Sequence, residues 1–461
     1  MGKGSKLLDK FFMISKRNST VKTEVIAGIT TFVTMAYILL VCPATMKVAG
    51  VDPSAVFVAT ALSSAFATLV VALLAKFPFA LAPGVGSVAF FVYSVCIHMK
   101  VDYKVALLAV FIEGIIFMLM SLGKVRSAIF NAIPLSIKHA ISVGLGLFIA
   151  FIGLQNAKVI VDNPATLVGI QNFSQNFNSV GIGAVLAIIG VFIIGGLMVK
   201  KVPGAILLGM IIVWVITMVL ETFGIYVPNP ELGTYSSIPH FAGGVNFAPF
   251  TDLFGQVFHA DLSHIGIGNF IVIVLSFLFV DIFDTLGTII GVASKADLLK
   301  EDGTMDGLEP ALLSDAVATT AGAVLGVPTT TTYVESASGV AAGGRTGLTA
   351  LVCAALFLVS LIFMPIFAAI PSFVTSSALL VVGFYMLEGV KYINLQDPSE
   401  GIPAFLCLIA MPLSYSIADG IGVGLLSYSL INFFGGQKTR IKISSITFVI
   451  SILYVCKFIF L

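Results

Sequence analysis

Charge is what this sequence has least of. Asp, Glu, Lys and Arg make up 10% of 461 residues against 58% apolar residues, and mean hydropathy is +1.08. A soluble chain needs about 25% charged residues to cover its surface, so the shortage excludes a string of water-soluble domains and predicts one membrane domain. The two signs nearly cancel, at a net +1, which leaves no general attraction for nucleic acid. Cysteines are few and unpatterned. Cys42, Cys96, Cys353, Cys407 and Cys456 show neither CxxC nor metal-type spacing, and they read as small apolar side chains. The five histidines form no metal-type cluster with the carboxylates, so no metal site is expected. Gly339 to Gly347 is glycine-rich but lacks the Lys-Ser/Thr of an ATP-binding loop. Gly84-x-Gly86-x-x-Ala89 has no βαβ pattern around it, so a dinucleotide site is not read there. No cleavable leader is expected, because the first apolar run begins near Val25 behind a polar basic stretch.

Long apolar runs are what the chain has instead. A bilayer core of ~30 Å takes about 20 apolar residues per helix. Runs bounded by Gly, Pro or charge give fourteen spans: 24–43, 54–75, 84–97, 104–122, 134–154, 180–200, 202–221, 266–290, 309–326, 331–342, 347–369, 372–391, 401–417 and 419–435. The third and tenth are too short to cross as plain helices. Residues 443–461 form a last apolar run that is either a further span or an interfacial segment. Basic residues support the count, since Lys and Arg collect in short cytoplasmic loops. With the N-terminus inside, Lys76, Lys124, Arg126, Lys200, Lys201, Lys295, Lys300, Arg345, Lys391, Lys438 and Arg440 all follow even-numbered spans. The loop from Thr222 to His264 follows an odd span and has neither Lys nor Arg, while Lys100, Lys104 and Lys158 are exceptions. Leu7, Leu8, Phe11 and Phe12 among lysines predict an interfacial helix over Lys6–Ile14.

Fourteen spans divide into seven and seven, and an odd number per repeat inverts the second half. The organisation expected is a cytoplasmic segment 1–22, a first repeat 23–221, an extracytoplasmic loop 222–265, a second repeat 266–436 and a hydrophobic segment 437–461. Each half has a short third segment broken by Pro, Gly or small polar residues: Leu81-Ala82-Pro83-Gly84-Val85-Gly86-Ser87-Val88 and Gly326-Val327-Pro328-Thr329-Thr330-Thr331-Thr332-Tyr333-Val334-Glu335. Irregular backbone survives in a membrane only where it is buried in protein or lines a cavity. Paired breaks of this kind mark a transport site. The proline positions and the β-branched run Thr329–Thr332 predict a short strand leading into a half-helix in each case, with the half-helix N-termini aimed at the solute.

Ionisable groups inside spans are costly and usually functional. Asp281 and Asp284 in Val280-Asp281-Ile282-Phe283-Asp284-Thr285 share a helical face, which suits proton coupling. Glu335, beside Thr332 and Tyr333, can accept N–H bonds from a flat neutral heterocycle. Glu113 lies mid-span, away from the breaks, and reads as structural. Asp315 also reads as structural, with no partner apparent from the sequence.

At these residues the chain resembles the AzgA-like purine permeases of nucleobase–cation symporter family 2, relatives of the uracil and xanthine permeases. The resemblance runs through Thr23-Glu24-Val25-x-Ala27-Gly28-x-Thr30-Thr31-Phe32-x-Thr34-Met35-Ala36-Tyr37, Ala80-Leu81-Ala82-Pro83-Gly84, Val280–Thr285 and Thr329–Ser336. It continues in Gly343-Gly344-Arg345-Thr346-Gly347-Leu348-Thr349 and Met411-Pro412-Leu413-x-Tyr415-Ser416-Ile417-Ala418. It implies an all-α fold of fourteen helices in inverted repeats, with core and gate domains and elevator-like motion. It further implies a purine base bound between spans 3, 8 and 10, and a homodimer in the cell membrane. H⁺ would be the coupling ion, with Na⁺ left open. By motif position Asp281 looks like the eighth-span substrate carboxylate, Glu335 like the tenth-span one and Asp284 like the second eighth-span acid. Gly86, Ser87, Val88, Thr332 and Tyr333 complete the candidate site. Val88 is a departure, because the family usually has Asn there. A lost hydrogen-bonding group changes discrimination strongly, so substrate choice is the expectation this position puts in question.

Two other functions compete for the same residues. An anion transporter on the same fold wants a cationic or donor-only pocket, which Asp281 and Glu335 oppose. An intramembrane aspartyl protease needs two acids facing each other across one bond, normally from different helices, whereas Asp281 and Asp284 share one. The chain is therefore read as a transporter and not an enzyme.

Overall fold

Among the described residues, the fourteen expected spans become helical segments, spans 3 and 10 being interrupted by strands. The computed structural model describes residues 3–122, 134–239, 247–263, 265–295, 307–367, 369–440, 443–444, 447–449, 451–452 and 454–455. Span 1 is split into Val21–Met35 and Ile38–Met46. Spans 2, 4, 5, 6 and 7 are Pro53–Leu74, Tyr103–Leu122, Leu135–Asn156, Ile182–Val199 and Ala205–Thr222. Spans 8, 9 and 11 to 14 are Ile267–Lys295, Leu308–Leu325, Gly347–Ser360, Ser372–Met386, Pro398–Ser414 and Ile417–Phe434. Several starts are written in the sequence. Asp52 accepts from the N–H groups of Ser54 and Ala55 ahead of Pro53, and Thr20, Asp397 and Ser416 cap their helices in the same way.

Spans 3 and 10 break as their composition predicts. Four short strands are described: β1 Leu81–Pro83, β2 Ile160–Asn163, β3 Leu167–Ile170 and β4 Thr330–Thr332. Strand β1 runs into a short α-helix, Val85–Ala89, which continues as the π-helical turn Phe90–His98; β4 leads to the helix Ser336–Ala341. The two strands pair antiparallel, with Leu81 opposite Thr332, Ala82 opposite Thr331 and Pro83 opposite Thr330. Beyond the ladder, the Gly84 N–H donates to Thr329 O at 3.0 Å and the Tyr333 N–H to Ala80 O at 3.0 Å.

Neighbouring hydroxyls satisfy the outer edges of this pair. Thr68 Oγ1 accepts from the Leu81 N–H and donates to Leu81 O, both at 3.0 Å. Thr319 Oγ1 donates to Thr330 O at 3.1 Å, and Ser336 Oγ accepts from the Ala80 N–H at 3.0 Å. A hydrocarbon interior supplies no water, so these side chains do what solvent would do elsewhere.

Packing sorts the spans into two groups. Spans 1 to 4 pack with 8 to 11, and spans 5 to 7 pack with 12 to 14. Small residues allow the close approaches that membrane helices need. A Cβ on Gly146 would lie 2.7 Å from Gly383 O of span 12, and Gly183 and Gly424 sit against Phe373 and Cys407.

The N-terminal segment forms a helix, Lys3–Phe12. Phe12 and Ile14 are buried against Leu348, and Arg17 Nη1 donates to the carbonyls of Lys76 and Arg345, both at 2.9 Å. Hydrogen bonds from Ser15 hold the exposed Asp9 carboxyl below its ordinary pKa. A hairpin of β2 and β3 after span 5 carried no sequence signal. Near the C-terminus Tyr454 Oη donates to Asp419 Oδ1 at 2.9 Å and the Ser429 and Ser451 hydroxyls pair at 2.7 Å, so part of the last apolar run packs on span 14. Residues 456–461 lie outside the described residues.

Candidate substrate site

Strands β1 and β4 bring the two breaks to one place. Thr332 is buried opposite Leu81. The next residue, Tyr333, turns its hydroxyl back across the pair and donates to Pro83 O at 2.6 Å. Glu335 follows at the mouth of the tenth-span helix, half-buried. Its Oε1 accepts from Tyr37 Oη at 2.7 Å. Tyr37 occupies the turn between the two helices of span 1 and is 1% exposed. Its ring centroid lies 6.4 Å from that of Tyr333. Tyr385 of span 12 lies within electrostatic reach of the same carboxyl. Tyr37 thus bonds the carboxylate directly, with Tyr333 beside Tyr37 and Tyr385 within electrostatic reach.

The third-span side is tight and apolar. A Cβ on Gly86 would lie 2.6 Å from Leu145 Cδ2 of span 5, so the glycine is what lets the second packing group close on this helix. Ser87 is fully buried, and its hydroxyl has no hydrogen-bond partner among the described residues. Val88 is 0% exposed and belongs to the apolar core.

Asp281 lies on span 8, which packs against β4 and both short helices. Thr285 Oγ1 lies 2.7 Å from Asp281 Oδ1 and 2.9 Å from Asp315 Oδ2, and the Glu113 carboxyl neighbours both acids. Glu113 Oε2 accepts from Thr329 Oγ1 at 3.0 Å. These three carboxylates come from spans 4, 8 and 9, and all are fully buried. Two expectations are corrected here. Glu113 is not isolated from the breaks: it holds the residue that precedes β4. Asp315 has a partner in Thr285. Spacing along one span cannot reveal either, because both contacts cross between helices. Among the described residues no hydrogen bond joins Glu335 to Asp281, and span 8, which carries Asp281, packs against both β4 and the helix that follows Glu335. The side chain of Asp284 lies outside the described residues.

Sequence reasoning missed Tyr37, Tyr385 and the Glu113 contact. Tyr37 was visible as the end of a quoted motif, but no local pattern points a span-1 phenol at span 10. A further pair of motifs meets at the other end of the core. Buried Glu24 accepts from the Arg345 N–H at 3.0 Å, from the Thr346 hydroxyl at 2.9 Å and from the Thr349 hydroxyl at 2.6 Å.

Comparison with known proteins matches residues 22–423 to Xan_ur_permease, described as the Permease family. The adenine permease AdeP of Escherichia coli is 36% identical, covering 99% of this chain and 97% of its own. The guanine/hypoxanthine permease PbuO of Bacillus subtilis is 39% identical, covering 95% of this chain and 98% of its own. Among solved structures, the transmembrane domain of the cyanobacterial bicarbonate transporter BicA superposes with a TM-score of 0.63 at 14% identity, over 87% of this chain and 96% of that one. At that identity the likeness shows the fold alone: seven-plus-seven inverted repeats divided into the two packing groups described above, a core (spans 1 to 4 and 8 to 11) and a gate (spans 5 to 7 and 12 to 14).

Proposed function

The chain belongs to the Permease family, and from that premise we propose that it imports purine bases of the adenine, guanine and hypoxanthine class by proton symport. The observation that carries this reading is Glu335, held at the paired breaks among Tyr37, Tyr333 and Tyr385. A carboxylate accepts two N–H bonds from one edge of a base, and tyrosine rings offer a flat apolar face. Val88 then shapes the base without bonding it, and Gly86, Ser87 and Thr332 complete the walls.

Asp281 and Asp284 are assigned to proton coupling, with Glu335 coupling the proton to the base. Thr285 supports the assignment. It has one hydroxyl proton and two carboxyl neighbours, so its second contact becomes a good hydrogen bond when one of those carboxyls carries a proton. Glu113 and Asp315 extend the same group. Movement of the core against the gate is taken as an elevator step, in a homodimer in the plasma membrane with the N-terminus cytoplasmic.

Uptake of labelled adenine, guanine, hypoxanthine, xanthine and uracil in cells lacking their own permeases tests the reading, with and without a proton uncoupler. Uptake of at least one purine, lost on uncoupling, is expected. Transport of none of the bases overturns the substrate class, and uptake indifferent to the uncoupler overturns symport.

A further inference from the structure

The motif Met411-Pro412-Leu413-x-Tyr415-Ser416 takes no part in the substrate site. It ends span 13 with Tyr415 in the left-handed region, at φ 56° and ψ 28°. A bulky aromatic residue there is a genuine outlier, and such strain clusters at functional positions. Contacts within the gate and across to the core hold it. Within the gate, Tyr415 Oη donates to Gln155 Oε1 at 2.7 Å; across to the core, Tyr415 O accepts from Ser94 Oγ at 3.1 Å. The ring meets Tyr93 edge-on at 5.9 Å and also packs on Phe148 and Phe151. Tyr93 Oη in turn accepts from Asn156 Nδ2 at 2.6 Å.

Tyr93 and Ser94 lie in the π-helical turn Phe90–His98, the continuation of the third-span half-helix. Turns of this kind recur at functional positions. Gln155 and Asn156 end span 5. Above them is a cavity of about 250 Å³ lined by Thr45, Asn156, Lys158, Tyr226, Tyr235 and Phe373. In the orientation adopted above, it lies at the extracytoplasmic end. Asn156 belongs to both features, since its amide lines the cavity and grips the third span.

We propose that Tyr93 and Ser94 of the core, with Asn156 and Tyr415 of the gate, are positioning residues that form an outer latch between the two, while Gln155 steadies Tyr415 within the gate. Closed, the latch separates the cavity from the third-span half-helix. Opened, it admits the solute to Gly86 and Ser87, and the strain at Tyr415 favours release once its contacts to Tyr93 and Ser94 part. The latch rests on the transport reading and not on which solute is carried.

The test uses a substrate-independent probe. In a chain carrying Cys96→Ser and Cys456→Ser, a Ser87→Cys probe is labelled in intact cells with a small membrane-impermeant methanethiosulfonate cation. Tyr93→Phe, Asn156→Ala and Ser94→Ala are then added one at a time. Loss of one hydrogen bond is expected to raise the labelling rate about 2- to 13-fold. Rates equal to or below the parent in all three, or no labelling in any chain, overturn the latch. Kinetics supply a second readout, without the probe. Weakening the latch populates the outward-open form, so KM for external solute falls at unchanged surface abundance. A merely structural role lowers Vmax with KM unchanged, and that outcome also overturns the proposal. A wild-type chain that takes up no purine, yet still shows faster labelling in the variants, sinks the substrate class and leaves the latch standing.

Discussion

The two broken segments do the same structural job with opposite chemistry. Both supply a three-residue strand and then a short helix, and each strand is held by a threonine of the span before it: Thr68 for β1, Thr319 for β4. Around β1 the residues are Leu, Ala, Pro, Gly and Val, fully buried, and Gly86 lets span 5 pack directly on them. Around β4 they are hydroxyls, a phenol and a half-buried carboxylate. An inverted repeat therefore duplicates a backbone and leaves the side chains free to diverge. In the proposed site, one break supplies shape and the other supplies bonding groups.

If that division holds, the largest effect comes from the tenth span. Glu335→Gln removes charged hydrogen bonds and is expected to cut uptake at least about 100-fold, with surface abundance retained. Uptake within tenfold of wild type in a transport assay would mean that β4 carries no chemistry. Asp281→Asn ranks next: a drop of about 10- to 100-fold, with the residual uptake insensitive to uncoupler. Persistence of uncoupler sensitivity would move proton coupling to another residue.

Stability measurements sharpen the comparison from the backbone side. Thr68→Val strands both the N–H and the C=O of Leu81, whereas Thr319→Val strands one carbonyl. At about 1–3 kcal/mol per stranded group, the first should lower the thermal unfolding midpoint in detergent more than the second. Equal shifts would show that the second Thr68 bond adds nothing and that the two threonines hold their strands equally. Tyr37→Phe deletes one hydrogen bond to Glu335, so KM should rise about 2- to 13-fold with Vmax nearly kept. The smallest effect is expected at Val88→Asn, on the apolar side. Relative uptake of adenine against guanine should shift by a factor of about five, read by competition between the two bases. An abolition of transport there would make the third span a bonding wall after all.

Much of this fold was legible. Scarcity of charge, the sidedness of Lys and Arg, and the two Pro/Gly breaks each have a local physical cause, and together they anticipate the spans and the strands. Glu335 was legible for the same reason, as a carboxylate placed just after a break. Tyr37, Tyr385 and the Glu113–Thr329 bond were not, because which helix faces which is decided by packing across the bilayer. Asp281 shows the limit most clearly. Its spacing to Asp284 set it on a face, but spacing could not say that Asp281 meets Glu113 and, through Thr285, Asp315.

Tyr333 and Pro83, joined by one hydrogen bond, are 250 residues apart in the chain. At a synthesis rate of about 5–20 residues per second, β1 waits roughly 12–50 s in the membrane before the strand that completes it exists. Throughout that interval the first half carries an open strand edge, and Glu24 still lacks the loop that satisfies it. Thr68 already shields Leu81 from within the first half, so its hydroxyl acts first as a chaperone to the nascent chain and only later as a brace for the finished transporter.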